Sequence, residues 1–232
     1  LTAADILARR LHDAGVRHAF GMPGGEVLTL IRALAAAGIA FVLAKHETAA
    51  GFMAEAAYHR TGAPGVMVAT LGPGAMNGVN AVANALQDRV PLIVLTGCVD
   101  ADEAQSYTHQ VMDHGQVFAP ICKATFRLSA GAAAIIADRA VITALAPRCG
   151  PVHIDVPIST AGQAVPPGKP WHRDPPLPVV AAEGPDLQAV RAALRGAKRP
   201  VAIIGLDVMQ EASGAAVQAV LERLQIPFVT TY

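Results

Sequence analysis

The sequence predicts an α/β fold: a doubly wound open parallel sheet of about six strands with helices on both faces, followed by a truncated second α/β segment. Three observations carry this. Apolar runs alternate with helix-patterned segments along the chain, as a parallel sheet covered on both faces requires. The strand runs, such as Ile39-Ala40-Phe41-Val42-Leu43-Ala44, are continuous rather than alternating, which marks strands buried on both sides. Loops rich in glycine and proline follow the strands, so the unusual chemistry collects on the carboxyl rim, where open parallel sheets bind ligands.

Taken in order, Thr2 caps a helix with Ile6, Leu7 and Leu11 on its apolar face and Gly15 as its stop. Val16 to Phe20 is a short strand, and Glu26 to Ala37 the next helix, ended by Gly38. The strand at 39–44 leads into a helix that runs from Glu47 to about Arg60 and stops at Gly62. Further strands are expected at 65–70, 90–97, 123–128 and 151–157. Ser129 is expected to cap an Ala-rich helix reaching Ala146. These elements form a first domain, residues 1–164. Residues 165–185 hold seven prolines and the sole Trp171, and read as a semi-rigid linker. From 186 to 232 a new helix–strand alternation begins that is too short to close a core, and it is expected to be the truncated start of a second domain.

Composition narrows the function. The chain has 232 residues, 53% hydrophobic and 16% charged, enough for a large core and a thin charged surface. Lysine plus arginine equals aspartate plus glutamate, 18 each, which offers no electrostatic case for nucleic acid or an anionic membrane. Cys98, Cys122 and Cys149 fit neither a metal pattern nor a disulfide framework, and a reduced, cytoplasmic setting is expected. The amino-terminal residues open a helix rather than a signal peptide, and the longest charge-free stretch, Thr61 to Leu86, is broken by Gly, Pro and Asn.

The chemistry centres on Glu47, a carboxylate placed where an apolar strand turns into a helix. Read alone, it is a first-turn acid that favours a helix N-terminus. Two loops accompany it. Gly21-Met22-Pro23-Gly24-Gly25 allows close main-chain approach to a ligand. Leu71-Gly72-Pro73-Gly74-Ala75-Met76-Asn77 resembles the start of a dinucleotide fingerprint, with Asp100 as an imitation of the ribose-binding acid, but Asn77 stands where the third glycine belongs. His109 and His114 are off helical spacing for a metal pair and are expected to be solvated loop residues.

Together with Ala85-Leu86-Gln87-Asp88 ahead of Pro91 and Gly150-Pro151-Val152-His153-Ile154-Asp155-Val156-Pro157, these motifs resemble the N-terminal pyrimidine-binding domain of thiamin-diphosphate enzymes, in particular the acetolactate synthase-like family. The resemblance covers residues 2–157 and implies a carboligase or decarboxylase acting on a 2-keto acid. It implies that Glu47 hydrogen-bonds N1′ of the aminopyrimidine and activates the cofactor. Pro23, Gly24, Gly25, Pro73, Asn77 and Gln110 are the implied cofactor-binding positions. Gln110 matches the glutamine of a Phe-Gln-Glu segment that reads His109-Gln110-Val111 here. Mg2+ and the diphosphate are implied to bind a Gly-Asp-Gly domain, and no Gly-Asp-Gly occurs in these residues. The piece alone is therefore expected to bind cofactor weakly and turn over nothing, and the full-length form to be a homodimer or homotetramer. FAD stays open, because Gly205-Leu206-Asp207 replaces the glycine run of the synthases. Two alternatives also stay open: a nicotinamide- or flavin-dependent oxidoreductase using the Gly72 loop, and a non-catalytic binding or assembly module.

Overall fold

Thr2 begins the first helix, α1 (Ala3–Asp13), with a reciprocal capping box: its hydroxyl accepts the Asp5 N–H while the Asp5 carboxylate accepts the Thr2 N–H. The computed structural model describes residues 1–107, 109–166, 183–210 and 214–231. Gly15, at φ +96°, makes the left-handed turn that releases the chain into β1 (His18–Gly21). A short 3₁₀ turn at Gly25–Val27 precedes α2 (Leu28–Ala36), then β2 (Ala40–Leu43) and α3 (Glu47–Thr61). Gly62 closes α3 in the left-handed conformation.

β3 (Gly65–Ala69) leads to α4 (Pro73–Asn77) and α5 (Val79–Gln87). The break falls at Gly78, where a β-carbon would stand 2.1 Å from Met67 Cε. β4 (Leu92–Cys98), α6 (His114–Phe118), β5 (Ala124–Arg127), α7 (Ala133–Leu145), β6 (Val152–Pro157) and α8 (Ile158–Gly162) complete this part. Ser129 makes no side-chain cap; a 3₁₀ turn at Ala130–Ala132 starts the helix instead, which corrects the expected boundary.

The six strands are all parallel, in the order β2-β1-β3-β4-β6-β5. Both faces are covered. On one, Val66, Val68, Ile93, Leu95, Val152 and Ile154 pack with α1, α2 and α7. On the other, Met67, Ala69, Leu92 and Val94 pack with α3 and α5, and Phe118 of α6 joins them. The two-residue period of each strand sends successive side chains to opposite cores.

Two compact units divide the chain, Leu1–His172 and Arg173–Tyr232. Most of the expected proline-rich linker, with Trp171, lies outside the described residues. The second unit contains α9 (Pro185–Gly196), β7 (Ala202–Ile204), α10 (Leu206–Gln210), α11 (Gly214–Arg223) and β8 (Phe228–Thr230), with β7 and β8 paired in parallel. Among the described residues, no helix is long and apolar enough to cross a membrane.

α3 lies against α5 at Gly51, where a β-carbon would sit 2.4 Å from Ala81 Cβ. Gly51→Ala is expected to lower stability by about 1–3 kcal/mol in urea unfolding, from overpacking. Gly131→Ala, at a position with nothing within 4 Å, should stay within about 0.5 kcal/mol of wild type.

Candidate functional site

From β1 the chain crosses to β2 on one side, and β3 then returns to the other side of β1. The loops leaving β1 and β3 diverge at this switch point and open a crevice at the carboxyl ends of the strands. Residues Met22–Gly25 form one lip and Thr70–Pro73 the other, while β2 delivers Glu47 at the first position of α3.

Glu47 is only 3% exposed. Asn77 Nδ2 donates to its Oε2 at 3.0 Å, and the Thr48 hydroxyl donates to the Asn77 carbonyl, tying the start of α3 to the end of α4. Oε1 receives no donor among the described residues, and it lies 3.2 Å from where a β-carbon on Gly74 would stand. Lys45 and His46 are exposed, and His46 Nδ1 accepts the Thr48 N–H at 3.2 Å as the cap of α3.

Thr70 lies between two acids. Its methyl group is 2.7 Å from the β-carbon position of Gly74, beside Glu47, and its hydroxyl donates to Glu26 Oε2 at 2.5 Å. A β-carbon on Gly24 would meet Thr70 Oγ1 at 2.6 Å, so glycine is needed there for the two lips to meet. Glu26, Leu71, Glu103, Ser106 and Tyr107 line a cavity of about 460 Å³, and among the described residues no lysine or arginine is on its walls.

Gly72, at φ +58°, approaches the Gln110 backbone so closely that a β-carbon would stand 2.4 Å from its carbonyl oxygen. Its N–H donates to His114 Nε2 at 3.0 Å. His114 Nδ1 meets Asp155 Oδ1 at 2.8 Å, and the Thr96 hydroxyl donates to the same oxygen at 2.7 Å. Thr96 Oγ1 is also 2.7 Å from His153 Nε2, whose ring stacks on Phe118 at 4.6 Å between centroids. With its single proton on Asp155, the Thr96 oxygen accepts from His153 Nε2–H; His153 Nδ1 is then an unprotonated, buried acceptor without a partner. Burial drives His153 down to about 4 despite the Asp155 charge. Burial alone would raise the Asp155 carboxyl, but the bond from His114, the nearby His153 and the Thr96 hydroxyl hold it below the usual carboxylate range.

Of the residues singled out from the sequence, Glu47 and Asn77 are joined directly, and Gln110 is packed on Gly72. Gly24 touches Thr70, Gly25 faces open space, and Pro23 and Pro73 are exposed on the two lips. His114 is a correction: it is buried at 1%, not solvated, while His109 is exposed. Asp100 is occupied by the Ser159 N–H at 3.1 Å. Glu26, Thr70, Thr96, His153 and Asp155 were not anticipated. The strand spacing of His153 and Asp155 put them on one face and was the available signal.

Fold and crevice together define a cofactor-binding α/β domain with one buried acid at its switch point. The family described as thiamine pyrophosphate enzyme, N-terminal TPP binding domain, matches residues 1–117, and the chain belongs to it. The probable 2-ketoarginine decarboxylase AruI of Pseudomonas aeruginosa is 34% identical over 239 residues, covering 100% of this chain and 42% of the relative. Acetolactate synthase of Bacillus subtilis is 29% identical over 231 residues, 99% of this chain and 40% of its own length. Acetolactate synthase isozyme 3 large subunit of Escherichia coli is 30% identical over 235 residues, 99% and 41%. The chain thus spans about two fifths of the curated relatives it matches. A buried carboxylate that keeps one oxygen without a donor among the described residues fits the hydrogen-bonding edge of that cofactor's aminopyrimidine, and Gly25 on the facing lip has nothing within 4 Å of its β-carbon position.

His153 generates a pH prediction. The unfolded side chain takes up a proton near pH 6.5 and the folded one only near 4. The unfolded chain therefore binds more protons between these values, so the contribution is intact above pH 6.5 and is lost as pH falls toward 4. In chemical denaturation across this range, His153→Gln should flatten the decline by up to about 3 kcal/mol.

Proposed function

We propose that the protein is a thiamin-diphosphate-dependent enzyme acting on a 2-keto acid, and that this chain holds the aminopyrimidine end of the cofactor. The observation that supports this most directly is the Glu47 carboxylate, buried, with Oε2 held by Asn77 and Oε1 open to the crevice. When bound, the cofactor supplies a carbon nucleophile that adds to the keto carbon and accepts the electrons left as carbon dioxide departs. Glu47 shares a proton with N1′ of the pyrimidine and thereby sets the ring's basicity. Asn77 fixes the carboxylate's orientation. Gly25 leaves open space at the crevice, Gly24 and Gly74 make way for Thr70, Pro23 and Pro73 stiffen the lips, and Gln110 borders the reacting end. Mg2+ and the diphosphate are assigned to residues outside this chain, and the complete enzyme to a cytoplasmic homodimer or homotetramer.

Glu26 favours a particular keto acid. It carries a negative charge into the crevice beside Thr70, and Glu103 adds another on the wall of the same cavity. Such walls suit a keto acid with a cationic end, in line with the relative named as a 2-ketoarginine decarboxylase.

In the complete gene product, Glu47→Gln is expected to lower kcat by about 10²- to 10⁴-fold while leaving the thermal midpoint within a few degrees. Wild-type turnover by this variant rejects the assignment. Glu26→Gln should lower kcat/KM for 2-ketoarginine by at least about tenfold and leave pyruvate unchanged. Equal losses on both substrates count against the cationic substrate but not against Glu47.

A further inference from the structure

We propose that His114 is a positioning residue that clamps the Gly72 turn and the Gln110 loop together and so holds Asn77 against Glu47. His114 starts α6, 42 residues from Gly72 in sequence, and its Nε2 is spent on the Gly72 amide rather than on another core group. A ring nitrogen that accepts an N–H carries no proton, so the ring's one proton sits on Nδ1 and points at Asp155. Thr96 donates to the same Asp155 oxygen and keeps it in place. The tautomer that accepts from Gly72 is thus fixed from inside the sheet, by residues of β4 and β6 that do not line the crevice.

The clamp acts at a point where the backbone has little freedom of its own. Gly72 is held at φ +58° and ψ −120°, a conformation open only to glycine, and leads straight into α4. α4 is a single turn ending at Asn77, whose amide holds Glu47. Gln110 is itself left-handed at φ +59° and presses its carbonyl on Gly72. Both strained turns meet at the amide that His114 receives. A histidine that only filled core volume would leave this N–H to another partner; losing the acceptor here leaves a buried donor unsatisfied and frees both loops.

The test uses the complete gene product. Hydrogen exchange is read over residues 71–77 in cofactor-free protein, and thiamin diphosphate Kd and kcat are read separately. His114→Leu is expected to speed exchange of that segment by at least about tenfold with β4 and β6 unchanged, and to weaken cofactor Kd by a similar factor. His114→Gln, whose carbonyl restores an acceptor for Gly72, should recover most of both. Where His114→Leu fails to fold, His114→Met against His114→Gln makes the same comparison. A lower Tm with wild-type exchange over 71–77 and wild-type Kd, or no recovery by Gln, overturns the proposal. The Kd and turnover readouts rest on the thiamin-diphosphate reading, whereas the exchange readout does not; wild-type protein that binds no cofactor sinks that reading and leaves the clamp to be judged on exchange.

Discussion

A carboxylate at the rim of a sheet, nearly out of water, is the constraint around which the first unit is arranged. An isolated buried charge costs several kcal/mol, so Glu47 persists only with compensation. Two sources are visible. The N-terminus of α3 favours an acid in its first turn by about 0.3–1 kcal/mol. The Asn77 amide contributes a hydrogen bond to a charged group, about 1.5–3 kcal/mol. Asn77 can reach because α4 stops where it does. The next position, Gly78, has no room for a side chain, because Met67 Cε of β3 stands 2.1 Å from its β-carbon position.

The same logic governs the second polar row. β6 sends Val152, Ile154 and Val156 into the core beneath α1 and α7, and its period of two sends His153 and Asp155 the other way. Thr96 of β4 is paired with Asp155 across the ladder, so three polar side chains meet inside an otherwise apolar layer. Such a network is costly when half made and specific when completed. It is completed by His114, and through His114 by the Gly72 backbone. Its loose end among the described residues is His153 Nδ1; burial is what makes that ring resist protonation, and Nδ1 has no acceptor there to offset it.

Legibility in the sequence followed range of interaction. The place of Glu47 at the start of a helix, the Thr2 cap and the stops at Gly15 and Gly62 were readable because each depends on neighbours a few residues away, whereas the Asp5 half of the capping box was not read. The parallel sheet was readable because continuous apolar strands need cover on both faces. The close packing at Gly78 was not, since the atom that fills its side-chain space belongs to Met67 on a strand. His114 was misread as solvated because its partners, Gly72 and Asp155, are 42 and 41 residues distant. Glu26 was passed over for a similar reason: its partner Thr70 lies on the neighbouring lip, 44 residues on.

The clamp on Gly72 also decides between two ways of using a glycine-rich loop after a strand. A dinucleotide loop works by turning free amides outward, at the start of a helix, onto a pyrophosphate. Here the Gly72 N–H is turned inward and consumed by His114, and the next residue, Pro73, has no N–H to offer. The helix that follows is one turn long, so it adds little dipole. Asp100, the other half of the dinucleotide pattern, already accepts the Ser159 N–H. What this loop brings to the rim is instead the Asn77 amide, which holds Oε2 of Glu47 and leaves Oε1 without a donor among the described residues.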